Sequence, residues 1–198
     1  MRRLFFGFLA FIILLFLIIW LWPHSPKKPQ TVPTGVVLQP LPDYAQYNSS
    51  VSLISDGIIN GNELHRAIRI SVDNNLRTVD VLQGYNYAVI DSHSFANTPE
   101  AYSTFLRSIS NFGFLAKQPH PKVSDDPAGQ CPLGTRYLYR LTKDDNELFS
   151  SWSSSCGSAV GTSAAGTSSL LTLFQRQIPD YSKLTSKVSL SLTSPPAN

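Results

Sequence analysis

The stretch Ile68-Arg69-Ile70-Ser71-Val72-Asp73-Asn74-Asn75-Leu76-Arg77-Thr78-Val79-Asp80-Val81 decides the fold class. Ile68, Ile70 and Val72 alternate with Arg69 and Ser71, Asp73-Asn74-Asn75 supplies turn chemistry, and Val79 and Val81 alternate again. Side chains on a strand point to opposite faces in turn, so this reads as a β-hairpin with one buried face. Val51 to Ile54 upstream and Tyr87 to Ile90 downstream are short strand candidates.

A helix signal follows. Thr98 has the side chain of an N-cap, Pro99 fits the first helical position and Glu100 complements the helix N-terminus. Tyr102, Phe105, Leu106, Ile109 and Phe112 fall on one face, Gly113 ends the helix, and Phe114 sits where it can pack back on the last turn. The plan then recurs. Residues 136–142 alternate through Tyr137, Tyr139 and Leu141, Asp144-Asp145-Asn146 turns, and 148–152 returns. A second helix runs from Ser168 or Ser169 through Leu171, Phe174 and Ile178 to Pro179, and Val188, Leu190 and Leu192 read as a final edge strand. The expected fold is α+β: an antiparallel sheet of two β-hairpins, each followed by an amphipathic helix, behind an N-terminal transmembrane helix.

That last element rests on residues 4–22, which carry no charge. At about 1.5 Å per residue a helix of this length crosses a hydrocarbon core of about 30 Å. Trp20 and Trp22 mark the interface and Pro23 the stop. A cleaved signal peptide is the alternative, but large residues and prolines follow where a peptidase needs small ones. Arg2 and Arg3 favour a cytoplasmic N-terminus, against a weaker pull from Lys27 and Lys28. Six prolines within 23–42 describe a semi-rigid stalk, 43–192 the extracytoplasmic domain, and 193–198 a flexible tail. The expected location is the cell membrane, single-pass, with the lipid bilayer held through 4–22 and the C-terminal domain outside.

The 198 residues carry a formal charge of +3, yet four basic side chains flank the apolar segment. Without Arg2, Arg3, Lys27 and Lys28, 12 basic residues face 13 acidic ones, so the folded part lacks the excess a nucleic-acid binder needs. No nucleic-acid partner, cofactor or metal is expected.

Two cysteines, Cys131 and Cys156, border two irregular stretches: a proline-containing loop at 116–135 and a Ser/Gly/Ala/Thr-rich one at 153–169. Outside the cytoplasm a disulfide is the simplest outcome; two free thiols, or a metal-bound or nucleophilic cysteine, are the alternatives. Asp91-Ser92-His93 sets an acid, a hydroxyl and an imidazole side by side, but neighbours on a strand face opposite ways and triads assemble distant residues. A polar turn before the helix competes with a catalytic role. Asp144-Asp145-Asn146-Glu147 and Asp125-Asp126 lack the register of a calcium loop. Tyr137, Tyr139, Phe149 and Trp152 form a candidate ligand groove, with cross-strand core pairs as the alternative.

The run Cys131-Pro132-Leu133-Gly134-Thr135-Arg136-Tyr137-Leu138-Tyr139, then Trp152-Ser153 with Ser155-Cys156-Gly157, then Leu173-Phe174 with Gln177-Ile178-Pro179-Asp180-Tyr181, resembles uncharacterised single-span envelope proteins of small-genome, candidate-phyla-type bacteria. The resemblance covers residues 95–185 and implies a bacterial source and an exported domain, with no activity attached. The expected role is a membrane-anchored interaction or structural module, whose partner is another envelope protein or a surface glycan. An envelope hydrolase working near Asp91, Ser92 and His93, or a subunit of a membrane complex whose apolar helix packs against partner helices, are the alternatives; for the latter the helix offers no polar residue and only Gly7 and Ala10 as small ones.

Overall fold

The computed structural model describes residues 38–119, 121, 123–157 and 161–191. The apolar stretch 4–22, the stalk up to residue 37 and the tail from 192 lie outside the described residues. Among the described residues no helix is long and apolar enough to cross a membrane.

Six strands form one antiparallel sheet: β1 Ser49–Asp56, β2 Arg66–Asp73, β3 Leu76–Gln83, β4 Ala88–Ala96, β5 Arg136–Lys143 and β6 Asn146–Ser154. Their order across the sheet is β4-β3-β2-β1-β5-β6. The fold is α+β, but it exceeds two hairpins. A meander from β1 to β4 grows in one direction, and the β5–β6 hairpin is added on the far flank of β1. Helices are α1 Pro99–Asn111, α2 Thr167–Gln175 and α3 Tyr181–Leu184, preceded by a 3-10 helix Leu41–Gln46.

The alternation seen in the sequence sets the layers. Val51, Leu53, Ile70, Val72, Val79, Tyr139 and Leu141 line one face and form a single core with Tyr102, Phe105, Leu106 and Ile109 of α1 and Leu170 and Phe174 of α2. Phe105 meets Phe174 edge-on at 5.1 Å between ring centres, which ties the helices together. Leu41 is 1% exposed within this core, so the fold begins inside the segment assigned to the stalk. Opposite lies a polar face that includes Ser52, Arg69, Ser71, Asp80 and Arg140, covered at one end by a smaller cluster of Ile54, Ala67, Leu82, Leu138 and Trp152. Burial of both faces at that end explains why the last residues of β1 are all buried.

Helix α1 starts and stops as its residues dictate. Thr98 Oγ1 accepts from the Ala101 N–H, and Gly113 takes φ +77° so that the Phe114 N–H reaches the Ile109 carbonyl and its ring returns to the core. Phe112, expected on the buried face, is instead exposed at the C-cap, where the helix has already turned away from the sheet.

Two expectations are corrected. Asp91-Ser92-His93 lies within β4 rather than in a turn, because pairing with Val81, Asp80 and Val79 keeps the chain extended. The edge strand expected from Val188 onward is absent among the described residues: the Leu190 carbonyl accepts from the Ile58 N–H in the loop that follows β1, and Val188 and Leu190 pack on the core instead.

Candidate functional site

The two irregular loops converge. Cys131 and Cys156 are joined in a disulfide with Cα atoms 5.6 Å apart, across the start of β5 and the end of β6. Gly134 lies against it: a Cβ there would sit 2.6 Å from Cys131 Sγ and 2.9 Å from Cys156 Sγ, so only glycine fits. The Ser163 N–H donates to the Trp152 carbonyl, which lays the second loop along the outer edge of β6. The first loop pairs with it in turn, through Gln118 N–H to the Thr162 carbonyl and Ala164 N–H to the Ala116 carbonyl, both 2.9 Å. Trp152 Nε1 donates to the Ser124 carbonyl, pinning the loop further along.

Where the loops meet, Gln118, Ser153, Ser154, Ser155, Ser163 and Thr167 border an open cleft of about 280 Å³ beside the disulfide. The hydroxyls of Tyr139, Ser153 and Thr167 run in a chain beneath it, at 3.0 and 2.9 Å. Burial pushes the Tyr139 phenol up, so it stays a neutral donor. The lining is rich in hydroxyl and amide groups and, among the described residues, carries no ionised side chain. Such a lining offers hydrogen-bond donors and acceptors without a fixed charge.

The four aromatic candidates do not form a groove. Tyr139 and Phe149 are buried under the helices around Phe114, Tyr137 packs on the rim of the same core, and Trp152 is buried on the opposite face with Leu138. Strand alternation separates Trp152 from the rest, and the core alternative accounts for all four. The same alternation splits Asp91-Ser92-His93. Asp91 Oδ2 lies 3.4 Å from His93 Nε2 on one face of an exposed strand, while the Ser92 hydroxyl turns to the other and donates to Asp80 at 2.6 Å. Asp144 and Asp145 form a hairpin turn with φ of 49° and 63°, and Asp125 pairs with Lys117. Among the described residues no three His, Cys, Asp or Glu side chains cluster to hold a metal.

Sequence reasoning missed a polar cluster at the disulfide end of the sheet. Arg136 Nε and Nη2 both donate to Asp56 Oδ2, at 2.9 and 2.7 Å, and Nη2 also reaches the Gly57 carbonyl. Asp56 Oδ1 lies 2.7 Å from Nε2 of the fully buried His65, whose Nδ1 faces the Ile58 carbonyl at 3.0 Å and whose ring stacks on Tyr85. Burial, then the neighbouring Asp56 carboxylate, pushes the Tyr87 phenol up to about 12. The cluster fixes the 57–65 loop, and Arg136 Nη1 ties in the 130–135 segment through the Gln130 carbonyl. Asp56 and Arg136 stand 80 positions apart, so no local spacing announces the pair.

No protein-family model and no curated protein sequence matches the chain.

Proposed function

We propose that this chain is a membrane-anchored extracytoplasmic interaction module, held in the bilayer through residues 4–22 and presenting the disulfide-stapled loop cleft to a neutral polar ligand such as a surface glycan or the backbone of another envelope protein. The observation that carries the reading is the Cys131–Cys156 disulfide, which belongs to an oxidising compartment and fixes the cleft-forming loops on the edge of β6. The apolar stretch, the flanking arginines and the proline-rich segment support the anchored topology, and the resemblance to single-span envelope proteins supports a bacterial envelope. Ser, Thr and Gln side chains around the cleft supply the hydrogen-bonding groups that glycan hydroxyls and peptide amides use.

The test has two arms. A C-terminal reporter on the full chain is expected to be accessible outside intact cells; a shielded reporter ends the topological reading. The purified full chain is then screened on immobilised envelope glycans and against envelope extract. Retention that is lost in Gln118→Ala and Thr167→Val supports the cleft, whereas retention unaffected by both places recognition elsewhere and overturns it.

A further inference from the structure

The two edges of the sheet are treated differently. Beyond β6 the second loop continues the ladder through Ser163 and the first loop pairs outside it. Beyond β4 no described residue pairs at all. Unpaired strand edges are templates for another strand, and natural proteins rarely leave a nine-residue one open.

The outward groups of β4 can be assigned. The Asn97 N–H donates to the Asn75 carbonyl at 2.7 Å, and bonded pairs of an antiparallel ladder recur every second residue. In the observed register they fall at Arg77 with Phe95, Val79 with His93 and Val81 with Asp91. The backbone N–H and C=O of Ser92 and Ser94 therefore point away from β3. In agreement, the Ser92 N–H is met by the side chain of Asp91, at 2.9 Å.

We propose that β4 pairs antiparallel with β4 of a second copy of this chain, with the two-fold axis at Ser92. The outward parity is kept by an axis at any residue of the strand, and centring on Asp91 sets that carboxylate against its own copy. Centring on His93 sets it against its own copy, and centring on Ser94 leaves Asp91 opposite Asn97. Centring on Ser92 sets Asp91 opposite His93 of the second copy, twice by symmetry, in the pair type whose side chains approach most closely. Asp91 and His93 already share one face of the strand, so the four groups form an alternating ring of acid and imidazole. The register break between Val81 and Leu82, which leaves Ile90 unpaired with β3, limits the contact to the central residues. The arrangement joins two six-stranded sheets edge to edge and uses a flank that the described residues leave open. It stands independently of the cleft reading, which concerns the opposite edge.

The experiment uses the full chain in mild detergent. Light scattering is expected to report dimers at high protein concentration. Ser92→Cys is expected to give a covalent dimer under mild oxidation. Ser71→Cys, two strands in from β4 and at least about 12 Å from the axis, is not. His93→Asp, which faces carboxylates with carboxylates, should weaken association roughly tenfold, and the swap Asp91→His with His93→Asp should restore it. A monomer at every concentration, equal capture by both cysteines, or association unchanged by His93→Asp overturns the proposal.

Discussion

Arg136 places two guanidinium nitrogens on a single oxygen of Asp56 and leaves the other oxygen to His65, with Arg136 and Asp56 almost sealed from solvent. The carboxylate is thus shared between strands β1 and β5 and the loop that leads into β2. Losing either ion strands the other in a buried setting, which costs far more than losing the pair.

Arg136→Met is therefore expected to lower unfolding free energy by about 3–5 kcal/mol, and Asp56→Leu combined with Arg136→Met by less, about 1–3 kcal/mol, because the double variant leaves unmade only the bond to the buried His65 Nε2. Urea denaturation of the single and double variants measures the difference. Equal losses in both would show that the burial, and not the pairing, carries the effect.

The disulfide closes 25 residues. Removing it by Cys131→Ser with Cys156→Ser is expected to cost about 3.5 kcal/mol in the chain-entropy account. Denatured, non-reduced protein should show no titratable thiol. Gly134→Ala should reproduce part of the loss, because its methyl group must displace one of the sulfurs; thermal melts with and without reductant separate the two contributions.

At alkaline pH the buried phenols dominate. Tyr87 and Tyr102 are pushed from the ordinary 10 up to about 12, with burial the main cause in each. The fold holds these phenols neutral more tightly than the unfolded chain does, so their contribution is complete below pH 10 and is lost as the pH climbs toward 12. Chemical denaturation across that window should show a steep fall in stability, shallower in Tyr102→Phe. A flat profile would contradict the burial of these hydroxyls.

The turn between β5 and β6 offers a gain. Asp144 and Asp145 both adopt left-handed φ, as a two-residue hairpin of the primed type requires, and L-residues pay for that conformation. Asp145→Gly is expected to raise stability by about 1 kcal/mol, seen as a higher midpoint in urea. No gain would mean that the Asp145 side chain stabilises the turn by a route other than backbone geometry.

The legible parts of the fold were those with local causes. The β2–β3 hairpin carries its alternation and its turn within fourteen residues, and Asp73 Oδ1 indeed caps the turn by accepting from Asn75 and Leu76. Helix α1 announced both ends through Thr98, Pro99 and Gly113. The disulfide followed from two cysteines and a presumed compartment. What escaped were features decided by distant pairing. The polar residues of β4 read as a turn because an edge strand need not be apolar, and only β3 beside it holds it extended. The serine-alternating end at Val188 imitates a strand, but Val188 and Leu190 are drawn onto the core and the Leu190 carbonyl onto the Ile58 N–H, away from the free edge of β4. The hydroxyl-lined cleft was illegible because its walls come from residue 118, from 153–157 and from 163–167, joined only in space.

The central place of β1 governs how the molecule comes together in time. Its β2 side is met by the next strand along the chain, whereas its β5 side waits for residues some 80 positions later. Half a sheet can assemble from nearby segments while an interior ladder stands bare, and maturation is then paced by closure of one long loop. Until that closure, the nascent chain is most exposed to wrong neighbours along β1 itself.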